Sequence, residues 1–235
     1  VSGSLAFADK NAAAGKVVTA SGIALNGAGA GNYIVNTTAT AFADILARAI
    51  TATLTANGKT YDGTTAATGT LSLGGVLAGD QVAAAGSYAF ADKNAGNGRT
   101  VTASGIALSG ADAGNYTVNV TATALADILA RAITATLAAN GKVYDGTTAA
   151  TGALWLGGVL AGDTVGASGS YAFAEKNAGA GKTVTASGIT LSGADAGNYS
   201  VNATATGLAD ILARAITATL AANGRVYDGT TAATG

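Results

Sequence analysis

Histidine and cysteine are both absent from this chain. No side chain therefore titrates near neutrality for acid–base work, and no thiol is present to act as a nucleophile. Glu175 is the only glutamate, so paired-glutamate chemistry is excluded as well. No glycine-rich phosphate loop opens a helical pattern. These absences predict a non-enzyme with no cofactor.

Charge is scarce too: 11% of residues are charged, and the net charge is −1. That excludes a basic footprint for nucleic acid and a polybasic patch for a membrane surface. No run of 18 apolar residues occurs, so no membrane insertion is expected of this segment. With so few charges, the solvent faces are expected to consist largely of Thr, Ser, Asn and Gly. Proline and methionine are also missing. The lack of cysteine fits either compositional accident or a passenger that crosses an oxidising compartment unfolded.

What is present is repetition. The octapeptide Ala43-Asp-Ile-Leu-Ala-Arg-Ala-Ile50 returns at Ala126–Ile133 and Ala209–Ile216, a period of 83 residues. Aligning 50–132 with 133–215 leaves 14 differences in 83 positions. Strict periodicity of this kind means one domain copied in tandem, which builds length or multivalency rather than one reaction centre. Residues 1–49 read as the C-terminal part of a repeat, 50–132 and 133–215 as complete repeats, and 216–235 as the N-terminal strands of another. Val1 has the phase of Ala84 and Gly235 that of Gly152. The chain reads as a window on a longer polypeptide, or as a subunit whose two part-domains complete one another.

Within one repeat the period is that of strands. Ile50–Leu54 alternates, Asn57-Gly58 is a turn dipeptide from which Lys59–Tyr61 can return as a second strand, and Asp62-Gly63 marks another turn. Leu71 and Leu73 share a face, as do Val82, Ala84, Gly86, Tyr88 and Phe90. Val101 and Ala103 share a face, and Ile106 and Leu108 share one beyond Gly105. Tyr116, Val118, Val120, Ala122 and Ala124 alternate with Thr and Asn. Six or seven short strands with regular turns point to a sandwich. Leu125–Ile133 carries apolar residues at both helical and strand spacings; its Thr-rich flanks favour an extended segment that leaves one domain and opens the next.

Asp112-Ala-Gly-Asn-Tyr116-Thr-Val118 has the spacing of a tyrosine corner, in which a Tyr opening a late strand bonds its hydroxyl to nearby backbone. Asp195 and Tyr199 repeat it; Tyr33 does so with Gly29 in the Asp position. The fold expected is all-β: tandem immunoglobulin-like sandwiches in an extended rod, with a β-solenoid as the alternative.

The run Lys142-Val-Tyr144-Asp145-Gly146-Thr147-Thr148, then Tyr171-Ala-Phe173-Ala-Glu175-Lys176-Asn177-Ala-Gly179, then Asp195-Ala-Gly-Asn198-Tyr199 resembles the YDG-type repeat of large bacterial surface proteins similar to filamentous haemagglutinin adhesins. The resemblance covers the whole chain and implies an extracellular stalk or fibre, exported by two-partner secretion, with no catalytic residues. Where that family often has proline between domains, this chain has Ala130-Arg131.

Other features have plainer readings. Tyr61–Thr65 is ordinary turn chemistry before it is a ligand loop. Calcium at Asp62, Asp80, Asp92, Asp112 and Asp127 would need convergent oxygens, and no Asp-rich loop is present. Lys93-Asn94 reads as a solvated loop, since adjacent residues cannot usefully form an isopeptide bond with each other. Trp155, standing where Ser72 stands one repeat earlier, belongs on an outer face and could stack on a sugar. Partners are thus neighbouring copies along or between fibres and, at Trp155, glycans; a filament built by strand complementation between chains is a further alternative.

Overall fold

The computed structural model describes residues 1–235, and the chain in it is all-β. Its helical content is three single 3-10 turns, Ala30–Asn32, Ala113–Asn115 and Ala196–Asn198. The chain divides into two compact units, Val1–Arg131 and Ala132–Gly235.

The first unit opens with β1 (Ser2–Phe7), β2 (Ala13–Ala24) and β3 (Thr38–Ile45), an antiparallel sheet in that order. A complete repeat follows: β4 (Arg48–Asn57), β5 (Lys59–Thr60), β6 (Thr68–Gly74), β7 (Ala83–Phe90), β8 (Gly96–Ser109), β9 (Tyr116–Val118) and β10 (Thr121–Leu129). These make two sheets, β6-β4-β9 and β5-β10-β8-β7. The next repeat has β11 (Arg131–Asn140), β12 (Lys142–Val143), β13 (Thr151–Gly157), β14 (Gly166–Phe173), β15 (Gly179–Ser192), β16 (Tyr199–Val201) and β17 (Thr204–Leu212), in sheets β13-β11-β16 and β12-β17-β15-β14. Hairpin-like antiparallel ladders dominate, where a solenoid would stack parallel rungs.

The inward residues of the two sheets pack in adjoining clusters. In the second unit, Ala135, Ala186 and Ile189 are buried together and flanked by Leu154 and Leu156 from one sheet and Tyr171 and Ala205 from the other. Phe173, Val184, Ala209 and Ile211 continue it, against Leu137 and Tyr144. Burial of this apolar surface is the main stabilising term.

The break in parity between Ala103 and Ile106 is a β-bulge. Ala85 faces Ala107 but Ser87 faces Ser104, so Gly105 and Ile106 together oppose Gly86. Gly105 takes φ 61°, and the extra residue returns Ile106 to the core beside Val101 and Ala103.

Two sequence expectations are corrected. Asn57-Gly58 is not a hairpin: neither residue takes a positive φ. The chain instead crosses from one sheet to the other there, and β5 pairs in parallel with β10, Lys59 opposite Ile128. A Cβ at Gly58 would lie 3.0 Å from the Asp127 carbonyl oxygen, a close approach that glycine accommodates without a shift. The strands expected over 216–235 do not form; in a complete repeat the corresponding segment pairs with β6 and β9. Leu125–Ile133 is extended, with strand on both sides of Ala130. Its Asp127 is held by bonding to the Gly98 amide, which leaves no helix to nucleate.

Candidate functional site

Three polar knots recur along the chain, and each is built from residues close in sequence plus one distant partner.

The first surrounds the tyrosine that opens β9. Tyr116 is buried, and its hydroxyl donates to Asp80 Oδ2 at 2.5 Å and accepts from the Leu77 amide at 3.1 Å. In the second unit Tyr199 donates to Asp163 Oδ2 at 2.5 Å and accepts from the Leu160 amide at 3.0 Å. A tyrosine corner closes on nearby backbone; these hydroxyls reach a loop 39 residues upstream. Asp112 and Asp195 clamp the same loop from the other side. The Asp112 carboxylate accepts from the Gln81 amide at 2.8 Å and that of Asp195 from the Thr164 amide at 2.9 Å. Tyr33 is largely exposed.

In the first unit this knot is also a junction between repeats. Lys10 Nζ lies 3.1 Å from Asp80 and 3.8 Å from Asp112. The Ala12 amide donates to Asn115 Oδ1 at 2.8 Å. Hydrogen bonding from Tyr116, then from Lys10, holds the Asp80 carboxyl below its ordinary range. The same contact pushes the Tyr116 phenol and the Lys10 ammonium up. A cleft of about 260 Å³ lies here, lined by Ile45, Leu46, Arg48 and Leu77 among others.

The second knot is the Tyr-Asp-Gly-Thr-Thr turn. Asp62 Oδ1 accepts from the Thr64 amide and hydroxyl, both at 2.9 Å, with Gly63 at φ 78° closing the turn. Lys59 Nζ reaches Asp62 at 2.7 Å and the Thr64 carbonyl at 2.7 Å, and sits 5.5 Å from the Phe90 ring centre. Lys142, Asp145, Thr147 and Phe173 repeat this arrangement. The lysine, chiefly, with the Thr bonds, lowers Asp62 and Asp145 to about 2. In the third copy Arg225 takes the place of lysine, bonding Asp228 at 2.7 Å.

The third is the Asp of the Ala-Asp-Ile-Leu string. Asp44, Asp127 and Asp210 each accept from a glycine amide at 2.7 Å, at Gly15, Gly98 and Gly181. Each of those glycines has φ between 61° and 63° in a bulge. Asp92 turns instead to the Asn94 amide at 2.8 Å and to Arg99. Lys93 lies 5.9 Å from the Tyr61 ring centre. Of the five carboxylates considered for calcium only Asp80 and Asp112 share a partner, Lys10, and no three acidic side chains converge.

Asn119 was not singled out by its sequence. Its side chain accepts from the Ala52 amide at 2.8 Å and donates to the Ala52 carbonyl at 3.0 Å, extending the parallel β4–β9 ladder by one side-chain rung. Asn202 does the same at Ala135. The one available signal was position: an Asn three residues after the Tyr in every copy, at 36, 119 and 202. Trp155 is 66% exposed on β13, while its neighbours Leu154 and Leu156 face the core.

No helix is long and apolar enough to cross a membrane. No curated protein matches the chain. The family model described as the YDG domain matches residues 1–41, 47–124 and 130–207, in one phase of the 83-residue period. Those segments include the buried Tyr116, the Asp62 turn and the Asn119 rung of the complete repeat, and the chain belongs to the YDG domain family.

Proposed function

We propose that the chain is a structural repeat segment of a secreted or surface-anchored bacterial adhesin or matrix fibre, each repeat an immunoglobulin-like sandwich in an extended rod. The observation that carries this reading is the junction in the first unit. Only Leu46 and Ala47 separate β3 from β4, and the Ala12–Asn115 and Lys10–Asp80 contacts tie the two repeats on either side. A linker of two residues with side contacts resists bending, the property a stalk needs. The core between the two sheets of the second complete repeat supports the sandwich. Every carboxylate described above is committed to a structural partner, which supports a non-catalytic role without metal or cofactor.

Small-angle scattering of the 235-residue chain tests the rod: a linear cross-section regime is expected, and a compact globule would refute it. Antibody labelling of intact source cells tests the location, and signal only after permeabilisation would refute that. Trp155, 66% exposed on β13, favours one second reading, a glycan contact at that single side chain. Because it is the only tryptophan, its fluorescence reports such binding directly; an unchanged spectrum across a glycan panel would exclude it.

A further inference from the structure

The two halves of a repeat occur in this chain apart from each other as well as joined. The sheet β1-β2-β3 has the register of β7-β8-β10: Phe7 pairs with Val18 and Val18 with Ala41, as Phe90 pairs with Val101 and Val101 with Ala124. In the complete repeat β4 packs across that sheet, and Ile50, Ala52, Leu54 and Tyr61 are buried against it. No second sheet faces β1-β2-β3, where Phe7 is 40% exposed against 3% for Phe90. Residues 33–35 form no strand either, although Tyr116–Val118, one period on, pairs in parallel with residues 48–50. Asn36 is nonetheless set for its rung. Its amide donates to the Thr38 carbonyl at 2.5 Å, as that of Asn119 does to the Thr121 carbonyl at 2.6 Å.

The opposite half stands alone at residues 214–235, which carry the sequence of β4 and of the Asp-Gly-Thr turn but form no strand. The turn is already closed: Asp228 Oδ1 accepts from the Thr230 amide and hydroxyl, both at 3.0 Å, with Gly229 at φ 75°. The Asn223 amide donates to the Thr234 carbonyl at 3.0 Å, between the equivalents of the paired Asn57 and Thr68. Ile216, Leu220 and Tyr227, in the places of Ile50, Leu54 and Tyr61, are exposed, from 87% for Leu220 to 92% for Tyr227.

We propose that residues 214–235 of one copy add to the β1-β2-β3 sheet of a second copy and complete a repeat between chains. The complete repeats supply the pairings. Arg214, Ala215 and Ile216 lie beside Tyr33, Ile34 and Val35, Ala218 meets Asn36, and Arg225 stands opposite Ile45, as their equivalents do at β4–β9, Ala52–Asn119 and Lys59–Ile128. Such strand addition recovers backbone hydrogen bonds and buries the three apolar side chains on Phe7 and Val18. The preset turn and the preset Asn36 amide lower the cost of ordering. The contact joins two different surfaces, so it propagates from chain to chain. It deepens the fibre reading as end-to-end growth, and the choice of a second copy over the chain's own first sheet rests on the rod of that reading.

Sedimentation equilibrium of the full chain from micromolar to millimolar tests it, beside the variant Leu220→Asp/Tyr227→Asp. Both residues are exposed and outside any strand, so the melting temperature of the variant should match that of the parent. The expected result is a parent mass that rises with concentration, and association roughly tenfold weaker or more in the variant. Since the chain has no cysteine, Ile45→Cys/Arg225→Cys reports the register, and oxidation should link chains into a ladder. A parent that stays monomeric overturns the proposal. So does a variant that associates as the parent does, which would assign the contact to another surface, and so does a disulfide closed within one chain. Scattering keeps the two readings apart: a rod-like parent that stays monomeric refutes only the strand addition, and a compact variant monomer beside an associating parent refutes only the rod.

Discussion

The Tyr116 hydroxyl donates to Asp80 at 2.5 Å and accepts from the Leu77 amide at 3.1 Å, so one side chain pins the β6–β7 loop to the start of β9. Lys10 of the preceding repeat reaches the same carboxylate. The group that pins this loop is therefore also the group that the preceding repeat contacts. Four predictions follow from this and the other knots.

Removing the hydroxyl tests the loop. Tyr199→Phe keeps the ring in its buried site but leaves the Leu160 amide without its acceptor. The stranded amide should cost about 1–3 kcal/mol in urea unfolding. Tyr116→Phe should act in the same direction. Unchanged midpoints in both variants would show the loop to be held by Asp112 and Asp195 alone.

Asn115→Ala tests the junction. It removes the acceptor of the Ala12 amide without touching the core of either repeat. Hydrogen exchange at Ala12 should accelerate severalfold, while the buried amides of Val101 and Ala103 keep their protection. Global loss of protection would mean the junction is inseparable from the fold.

Acid tests the Asp-Gly-Thr turn. Asp62 has a folded pKa of about 2 against an ordinary 3.8, and Asp145 the same. As pH falls, the unfolded chain takes up these protons first, so the stability contributed is present above about pH 4 and is lost on descent toward 2. Thermal melts should show the parent losing melting temperature across that window. Asp62→Asn/Asp145→Asn should start lower at pH 7 and change less; an identical slope would dismiss the ion pairs as the cause.

Backbone strain is testable at Gly98. A Cβ there meets nothing within 4 Å, yet φ is 61°. Gly98→Ala should therefore cost about 1–2 kcal/mol through conformation alone. Asp127→Ala removes the carboxylate that holds the same bulge and should also destabilise. If the alanine is neutral, the bulge relaxes without cost.

Much of the fold is legible in local pattern. The alternation of Ile50, Ala52 and Leu54 with threonines gave β4 its buried face, whereas the bulge at Gly105 emerged only from the pairing of β7 with β8. Asn57-Gly58 misled for a physical reason. The dipeptide permits a tight hairpin, but Asn57 is already paired with Thr68, and Gly58 lies close against the Asp127 carbonyl. The exposed leucines of β10 were hidden because a Leu in an alternating strand reads as core until its parity is set by Ile128 beside it.

The amino-acid order alone determined the 83-residue period, the strand character of each segment and the lack of titrating groups near neutrality, because these depend on side-chain type and short-range spacing. The tertiary structure decided which sheet each strand joined, that Tyr116 would find Asp80 rather than its own corner, and that Asn119 would complete a ladder. Those outcomes depend on groups brought together from 36 to 67 residues apart, where each buried donor takes whichever acceptor the packed layers place within reach.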